Sequence, residues 1–202
     1  MKTFDFLSDD RLRQQVEFLA VIDRMKQVLR QNLLADASRR ENDAEHSWHM
    51  ALTAMVLAEY ATEPVDIPKA VELALVHDLV EIYAGDTFAY DTVGYQDKAA
   101  RESAAAARLF GSLPGGQGAD FRALWEEFEA ADTPESRFAN VMDRFQPLLL
   151  NYLSDGHTWR TFDVPKPAVL KRNEIVRDWA PQLWQAAQEI LDQAVKEGIL
   201  KE

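Results

Sequence analysis

Three ionisable residues, His77, Asp78 and Glu81, interrupt an apolar stretch between Leu73 and Asp86. In a continuous helix, His77 and Glu81 share a face because they are four positions apart, and Asp78 lies about 100° from His77. Charged groups on a helix that is apolar on nearly every side are costly to bury unless they are paired or bind a metal. The adjacent imidazole and carboxylate could therefore bracket one cation, with a second carboxylate one turn further on.

Two other residues could complete this ligand set. His46 follows the helix-start pattern Asn42-Asp43-Ala44-Glu45, and Asp143 lies in an apolar stretch at residues 139–150. Each of them alone has a purely structural explanation. His46 could be a core histidine whose ring nitrogens are hydrogen-bonded, and Asp143 could be a core aspartate in an ion pair. Two imidazoles and two carboxylates together suit a first-row divalent cation, and metal sites in helical bundles are commonly built from facing helices.

Apolar residues recur at three- and four-residue intervals through most of the chain, which predicts helices. The predicted helices cover approximately residues 9–30, 42–60, 68–85, 96–110, 120–131, 133–150, 168–179 and 181–198. The segments predicted to be irregular are residues 33–40, 87–97, 111–118 and 155–167. Pro147 is expected to kink its helix, because it cannot donate to the carbonyl four residues earlier. No alternating pattern of useful length predicts a strand, so the expected fold is all-α, with the 68–85 helix at its centre.

The composition excludes several classes of protein. The 202 residues contain no cysteine, which excludes disulfide frameworks, thiolate metal sites and thiol catalysis. The formal net charge of −12 disfavours extended nucleic acid as a partner. The first residues have no signal-peptide pattern and no apolar run is long enough for a membrane span, so a cytoplasmic protein without a membrane partner is expected. The length and the 47% apolar content favour one domain over residues 1–202.

Three segments of the chain resemble a known family. They are Arg39-Arg40-Glu41-Asn42-Asp43-Ala44-Glu45-His46-Ser47, His77-Asp78-Leu79-Val80-Glu81-Ile82-Tyr83-Ala84-Gly85-Asp86 and Met142-Asp143-Arg144. In this order they are similar to the motifs of the HD-domain metal-dependent phosphohydrolases, and within that superfamily to the branch that includes the 5′-deoxynucleotidases. The similarity extends over approximately residues 18–152, and the two longer motifs are 31 residues apart from His46 to His77.

The resemblance implies a helical bundle with a metal site in its core, carried by residues 18–152 and followed by C-terminal helices at about 168–198. The residues that it implies as ligands of one divalent cation are His46, His77, Asp78 and Asp143. The ion could be Mn, Co, Zn, Mg, Ni or Fe, because histidine and aspartate suit several metals. A single ion is implied because no further histidine lies between Asp78 and Asp143.

The resemblance also implies an enzyme, a phosphohydrolase that acts on a small phosphomonoester such as a nucleoside 5′-monophosphate, and a homodimer. Asp78 and Glu81 would be the catalytic residues, with Glu81 moving a proton near the attacking water or the leaving group. Asp86 would contact the substrate sugar. Arg39, expected to point inward while Arg40 points outward, would bind phosphate or brace the site.

One departure from the deoxynucleotidase pattern concerns substrate choice. That branch has an Arg-Trp pair 14 to 15 residues before the first metal histidine, where this chain has Gln31-Asn32. Lys26 or Arg30 could supply the positive charge, but no residue replaces the tryptophan. The preference for deoxynucleotides therefore stays open, and the alternative is a catalytically weak regulatory HD protein that binds a nucleotide or metal.

Several residues near the motifs have separate explanations. Glu45 occupies the position that a capping box requires, and His49 is expected to pack against its helix rather than to orient a ligand. Phe88 and Tyr90 follow Asp86 in a predicted loop, where they are candidates to cover a bound ligand.

Overall fold

The computed structural model describes residues 3–202, and helices account for most of them. The α-helices are α1 Asp10–Ile22, α2 Asp43–Leu57, α3 Ile67–Val76, α4 Glu81–Ala84, α5 Lys98–Phe110, α6 Gln117–Ala130, α7 Pro134–Leu153, α8 His157–Thr161, α9 Lys166–Arg172, α10 Glu174–Trp179 and α11 Pro181–Lys196. Two 3₁₀ segments, Asp23–Gln27 and Ala58–Tyr60, extend α1 and α2. The prediction of a helical fold is confirmed.

Capping residues begin the helices that carry or immediately precede the predicted ligands. Asn42 caps α2 in a reciprocal capping box with Glu45, as the sequence predicts. Thr133 caps α7 in the same reciprocal way with Ser136, and Pro134 occupies the first turn, where its missing N–H costs nothing. Asp66 accepts a bond from the Lys69 amide at the start of α3. Three helices that meet at the site therefore begin at residues with side-chain caps.

Two clusters of buried apolar residues hold the helices together. The larger cluster is built from α2, α3, α7, α10 and α11, and includes Met50, Leu73, Phe138, Met142 and Leu191. The smaller cluster joins α1, α5 and α6 to the segment after α3. Each helix presents an apolar stripe to these clusters, and burial of those stripes provides most of the driving force for folding.

A short hairpin departs from the all-α prediction. Strands β1 Leu29–Leu33 and β2 Arg40–Asn42 pair antiparallel, with Leu29 opposite Asn42 and Leu33 opposite Arg40. The prediction of a first helix to about Arg30 is wrong, because the helical segments end at Gln27 and a strand begins at Leu29. The predicted loop at 33–40 is confirmed for residues 34–39, which connect the two strands. Strands of five and three residues are too short to show an alternating pattern. The Arg40 side chain also stabilises the pair by donating to the carbonyls of Arg30 and Leu29.

The central segment is not one helix. Helix α3 ends at Val76, residues 77–80 form consecutive turns, and α4 begins at Glu81. In the turns, the amide of Leu79 donates to Val76 and that of Glu81 to Asp78, each only three residues back. A tighter i→i+3 bond changes the direction of successive side chains without changing the apolar pattern, so periodicity does not reveal it. The predicted stop at Gly85 is confirmed, with φ at +77°.

Other boundaries differ by smaller amounts. The predicted helix at 168–179 is divided at Asn173 into α9 and α10, and the segment predicted to be irregular at 155–167 contains α8. Helix α7 runs through Pro147 as one element. No helix in the described part of the chain has the length and apolar character needed to cross a membrane.

Candidate metal centre

Four predicted ligands converge in the core. His46 comes from α2, His77 and Asp78 from the turn that follows α3, and Asp143 from the middle of α7. His46 Nε2 lies 3.1 Å from Asp143 Oδ1 and 3.9 Å from Asp78 Oδ2. His77 Nε2 lies 3.0 Å from Asp78 Oδ2 and 3.9 Å from Asp143 Oδ1. Four donor atoms from three separate parts of the chain thus surround one point.

Both imidazoles are oriented by bonds at their other ring nitrogen. His46 Nδ1 lies 2.9 Å from the Gln146 side-chain oxygen, and His77 Nδ1 lies 2.8 Å from the Ala74 carbonyl. Both partners are acceptors, so Nδ1 carries the proton and the lone pair of Nε2 faces the cluster. His77 Nε2 is buried with no hydrogen-bond partner among residues 3–202. An Nδ1–H held by an acceptor is the usual arrangement of a metal-binding histidine.

The donor set fits a divalent cation. Atoms about 2.1 Å from an ion are about 3.0 Å apart at right angles, about 3.4 Å apart at tetrahedral angles and about 4.2 Å apart when they lie on opposite sides of it. The observed separations of 3.0 to 3.9 Å fall between the first and the last of these values. Burial acts to raise the pKa of Asp78, but His77 and Arg30 hold it below its usual value. Burial also opposes ionisation of Asp143, while Arg144 and His46 keep its pKa low. Both carboxylates are therefore charged and able to act as ligands.

A second group of carboxylates lies beside this cluster, around Arg30 of β1. Arg30 Nη1 lies 2.9 Å from Asp78 Oδ2 and 3.9 Å from Asp43 Oδ1, and its Nε lies 3.6 Å from Glu41. Burial, followed by the charge of Asp78, raises the pKa of Asp43 to about 8 and raises that of Glu81 well above its usual value. Arg30 thus neutralises Asp78, while the raised pKa values of Asp43 and Glu81 favour their protonated forms.

Gln146 links the ligands to the core and was missed by the sequence reasoning. It is fully buried on α7, one turn after Asp143, and its oxygen accepts the His46 Nδ1 proton. Its amide donates to Glu41 at 2.8 Å and to His49 Nδ1 at 3.0 Å. An amide between Phe145 and Pro147, in an apolar stripe, was the available signal. His49 is thus connected to His46 through Gln146, although the sequence favoured a packing role for it.

A cavity of about 290 Å³ opens over the cluster. Its walls include Asp86, Phe88 and Tyr90 from the segment after α4, as well as Gln31 and Asn32 from β1. Phe88 and Tyr90 pack edge to face, with ring centroids 5.4 Å apart. Burial raises the pKa of Asp86. Candidate groups to contact a substrate therefore surround the candidate metal ligands on several sides.

Arg39 lies elsewhere. Its side chain is 53% exposed and makes a two-pronged ion pair with Glu45, with Nη1 2.9 Å from Oε2. It does not line the cavity, so the expectation that Arg39 points inward is wrong. The physical reason is the capping carboxylate: Glu45 is fixed at the start of α2 and attracts the guanidinium to the surface. The cations that lie at the cluster are Arg30, beside Asp78, and Arg144, beside Asp143, whereas Lys26 is exposed and pairs with Asp23.

Comparison with known proteins places this arrangement in a family. The family model described as HD domain matches residues 22–184, which include all four candidate ligands. The chain belongs to the HD domain family. The resemblance inferred from the three motifs is therefore confirmed, and the HD fold accounts for the convergence of helices α2, α3 and α7.

Several individual proteins are similar to this HD domain chain. A crystal structure of a predicted metal-dependent phosphohydrolase from Magnetospirillum magnetotacticum is 46% identical, with a TM-score of 0.91 and full coverage of both chains. The human 5′-deoxynucleotidase HDDC2 is 29% identical over 138 residues, which are 68% of this chain and 66% of that protein. The alignment thus spans slightly less than two thirds of the human protein's length. The PH0347 protein of Pyrococcus horikoshii, at 20% identity and a TM-score of 0.59, shares the fold.

Proposed function

We propose that this HD domain protein is a metal-dependent phosphohydrolase that releases phosphate from a small phosphomonoester, most simply a nucleoside 5′-monophosphate. The observation that carries the proposal is the meeting of His46, His77, Asp78 and Asp143 beneath a cavity, with both histidine Nε2 atoms facing the cluster. The similarity to a protein named a predicted metal-dependent phosphohydrolase and to proteins named 5′-deoxynucleotidases supports it.

The four residues would hold one divalent cation, and the donor set suits Mn, Co, Zn, Mg, Ni or Fe. When bound, such an ion polarises a phosphoryl oxygen and makes a water more acidic. The protein's own contribution is to fix the donor atoms. Gln146 and the Ala74 carbonyl hold the imidazoles, and Arg30 holds Asp78.

Glu81 is the proposed proton carrier. Its Oε2 atom is buried and has no hydrogen-bond partner in the described part of the chain, and burial raises its pKa. A carboxyl group whose pKa is raised well above its usual value is suited to donate a proton to a leaving oxygen and take one back. Asp86, on the cavity wall, is proposed to receive the hydroxyl groups of the leaving sugar.

Arg30 takes over the electrostatic role that the sequence assigned to Arg39. It lines the cavity, and its pKa is raised, since the charges of Asp78 and Asp143 outweigh the effect of burial. A guanidinium held at this position compensates negative charge that develops on a phosphoryl group. Gln31 and Asn32, the neighbours of Arg30 on the same strand, would contact the substrate with neutral amides rather than with an arginine and a tryptophan.

A phosphate-release assay tests the proposal. The wild-type protein, stripped of metal and reloaded with each candidate cation, is given a panel of ribo- and deoxyribonucleoside 5′-monophosphates, diphosphates and cyclic nucleotides. We expect metal-dependent release from monophosphates that is abolished in Asp78→Ala. The matched control is Asp132→Ala, an aspartate outside the cavity lining. Release that survives Asp78→Ala would refute the mechanism, and nucleotide binding without release under every metal would favour the regulatory alternative.

A homodimer is proposed as well. The outward face of α2 exposes four apolar residues at helical spacing, Trp48, Leu52, Met55 and Val56. A second copy of the chain is the proposed cover, and sedimentation equilibrium on wild type and Val56→Glu measures it: the wild type should be dimeric and the variant monomeric. Cytoplasmic location stays a prediction from the sequence.

A further inference from the structure

A second and larger cavity, here called the groove, opens beside the one over the metal cluster. Its volume is about 880 Å³, about three times that of the first cavity. Tyr90, Tyr95, Arg144 and Arg172 line both, so the two cavities are adjacent. The groove therefore offers additional space next to the cavity over the metal cluster.

The groove is positively charged on a strongly acidic protein. Its walls carry Arg144, Lys171 and Arg172 against one carboxylate, Asp163, which is paired with Lys201 outside the groove. Arg144 is bound to Asp143. Lys171 and Arg172 make no ion pair and no side-chain hydrogen bond with any residue in 3–202. With a formal net charge of −12, the chain has ample carboxylates to pair these cations, yet none does.

Arg172 is the more buried of the two unpaired cations. It is half-buried at the boundary of the two cavities, and burial together with the nearby charge of Arg144 lowers its pKa. A partly desolvated guanidinium beside another guanidinium gains most from an anion placed between them. An arginine guanidinium can donate two parallel N–H bonds to a phosphate group. Phosphate is therefore the anion that fits best beside Arg172.

The rest of the groove is apolar. Phe162, Val164, Pro165, Ala168 and Ile175 line it. Phe162 is 43% exposed, and its ring lies 4.2 Å from that of Phe88 on the wall of the first cavity. Such a surface suits a flat, uncharged ring system such as a nucleobase, attached to the sugar that carries the phosphates.

We propose that the groove binds a second phosphate of the substrate, on the leaving-group side of the phosphate that is hydrolysed. The preferred substrate class is then a nucleotide phosphorylated at two positions, such as a nucleoside 3′,5′-bisphosphate. Arg172 and Lys171 are its specificity-determining residues. This proposal rests on the proposed phosphohydrolase function and narrows its substrate.

Binding without turnover tests the groove directly. The probe is deoxyadenosine 3′-monophosphate, titrated calorimetrically into the full chain in EDTA, with deoxyadenosine as the uncharged comparison. We expect the nucleotide to bind at least tenfold more tightly than the nucleoside, and Arg172→Gln to remove that difference. Arg177→Gln is the matched control, because Arg177 is exposed on the next helix and pairs with Asp178. Equal binding of both probes to the wild type overturns the proposal.

Turnover then separates this proposal from the one on which it rests. In the metal-loaded wild type, kcat/KM for deoxyadenosine 3′,5′-bisphosphate should exceed that for the 5′-monophosphate about tenfold, and Arg172→Gln should remove the advantage through KM. Turnover of both substrates at equal kcat/KM overturns the proposal that the groove binds a second phosphate, and leaves the proposed phosphohydrolase function standing. No release from either substrate under any metal overturns the phosphohydrolase. If Arg172→Gln does not fold, Lys171→Gln, which alters an exposed side chain, must show the same selective loss.

Discussion

Replacing Gln146 with leucine should weaken metal binding without touching a ligand. The leucine fills a similar volume, but it removes the acceptor for His46 Nδ1 and the donors to Glu41 and His49. His46 is then free to rotate or to change tautomer. Loss of a partner that orients a metal-binding histidine typically costs about 10- to 100-fold in metal affinity, or about 1.4 to 2.7 kcal/mol.

The loss of metal affinity can be measured as a smaller gain in folding stability when the ion binds. At a metal concentration 100 times the wild-type Kd, binding should stabilise the wild type by about 2.7 kcal/mol. At the same concentration, tenfold weaker binding leaves about 1.4 kcal/mol, and hundredfold weaker binding leaves about 0.4 kcal/mol. Thermal unfolding with and without EDTA measures this increment, and titration against a competing chelator measures the Kd itself.

A control separates metal binding from general loss of stability. Ser154→Ala removes a buried hydroxyl that donates to Leu150 at 2.7 Å, away from the cluster. Both variants should be less stable in EDTA, because each loses buried hydrogen bonds. Only Gln146→Leu should show a reduced increment on adding metal. An increment equal to that of the wild type would refute the idea that Gln146 orients His46 for binding.

Three further perturbations are predicted. Glu81→Gln should lower kcat by about 10²- to 10⁴-fold while the metal Kd, measured by chelator competition, changes little, since a positioned proton carrier is removed; a kcat near the wild-type value would exclude the proposed role. Arg39→Ala should leave kcat/KM within about twofold of the wild-type value, because the side chain lies on the surface. Arg30→Gln should lower kcat/KM at least tenfold in the same steady-state assay, because Arg30 contacts Asp78. A larger loss in Arg39→Ala than in Arg30→Gln would show that Arg39 belongs to the site. Asp43 has a raised pKa of about 8, so the folded protein keeps a proton that the unfolded chain releases near pH 4, and stability falls as the pH rises between these values. The slope for one proton is about 1.4 kcal/mol per pH unit, and urea unfolding of metal-free Asp43→Asn between pH 5 and 8 should be flatter than that of the wild type by up to this amount.

The sequence was sufficient for features that depend on periodicity and caps. The start of α2 at Asn42 and of α7 at Thr133 follow from local side-chain chemistry, and both helices carry predicted ligands. The apolar stripes on these helices indicate which faces turn inward. His46 and Asp143 could therefore be placed in one core before any coordinates, and the HD motifs supported the same pairing.

Other features depend on contacts between distant residues. The turn at His77 leaves the apolar pattern of the segment unchanged, so the pattern matches a continuous helix equally well. Arg39 and Arg40 are neighbours of the same type, and their directions are set by the Glu45 carboxylate and by the pairing of β2 with β1. Gln146 becomes important only when α7 packs beside α2, 100 residues away from His46 in sequence. Such relations are created by tertiary structure, so the local sequence at most marks a polar residue in an apolar stripe, as at Gln146, and does not identify its partners.

The β1–β2 hairpin carries groups of two kinds, because Arg30 contacts a candidate ligand while its neighbours Gln31 and Asn32 line the cavity. Gln31 and Asn32 face the cavity from a five-residue strand, whereas the candidate ligands come from the helical scaffold. Asn32 is tied to that scaffold chiefly by one bond, from its side-chain amide to the Pro147 carbonyl at 3.1 Å. Substitutions at Gln31 or Asn32 that leave Arg30 in place would alter which leaving group the proposed phosphohydrolase accepts without changing the candidate ligands. Divergence of relatives toward new substrates would then begin at the hairpin.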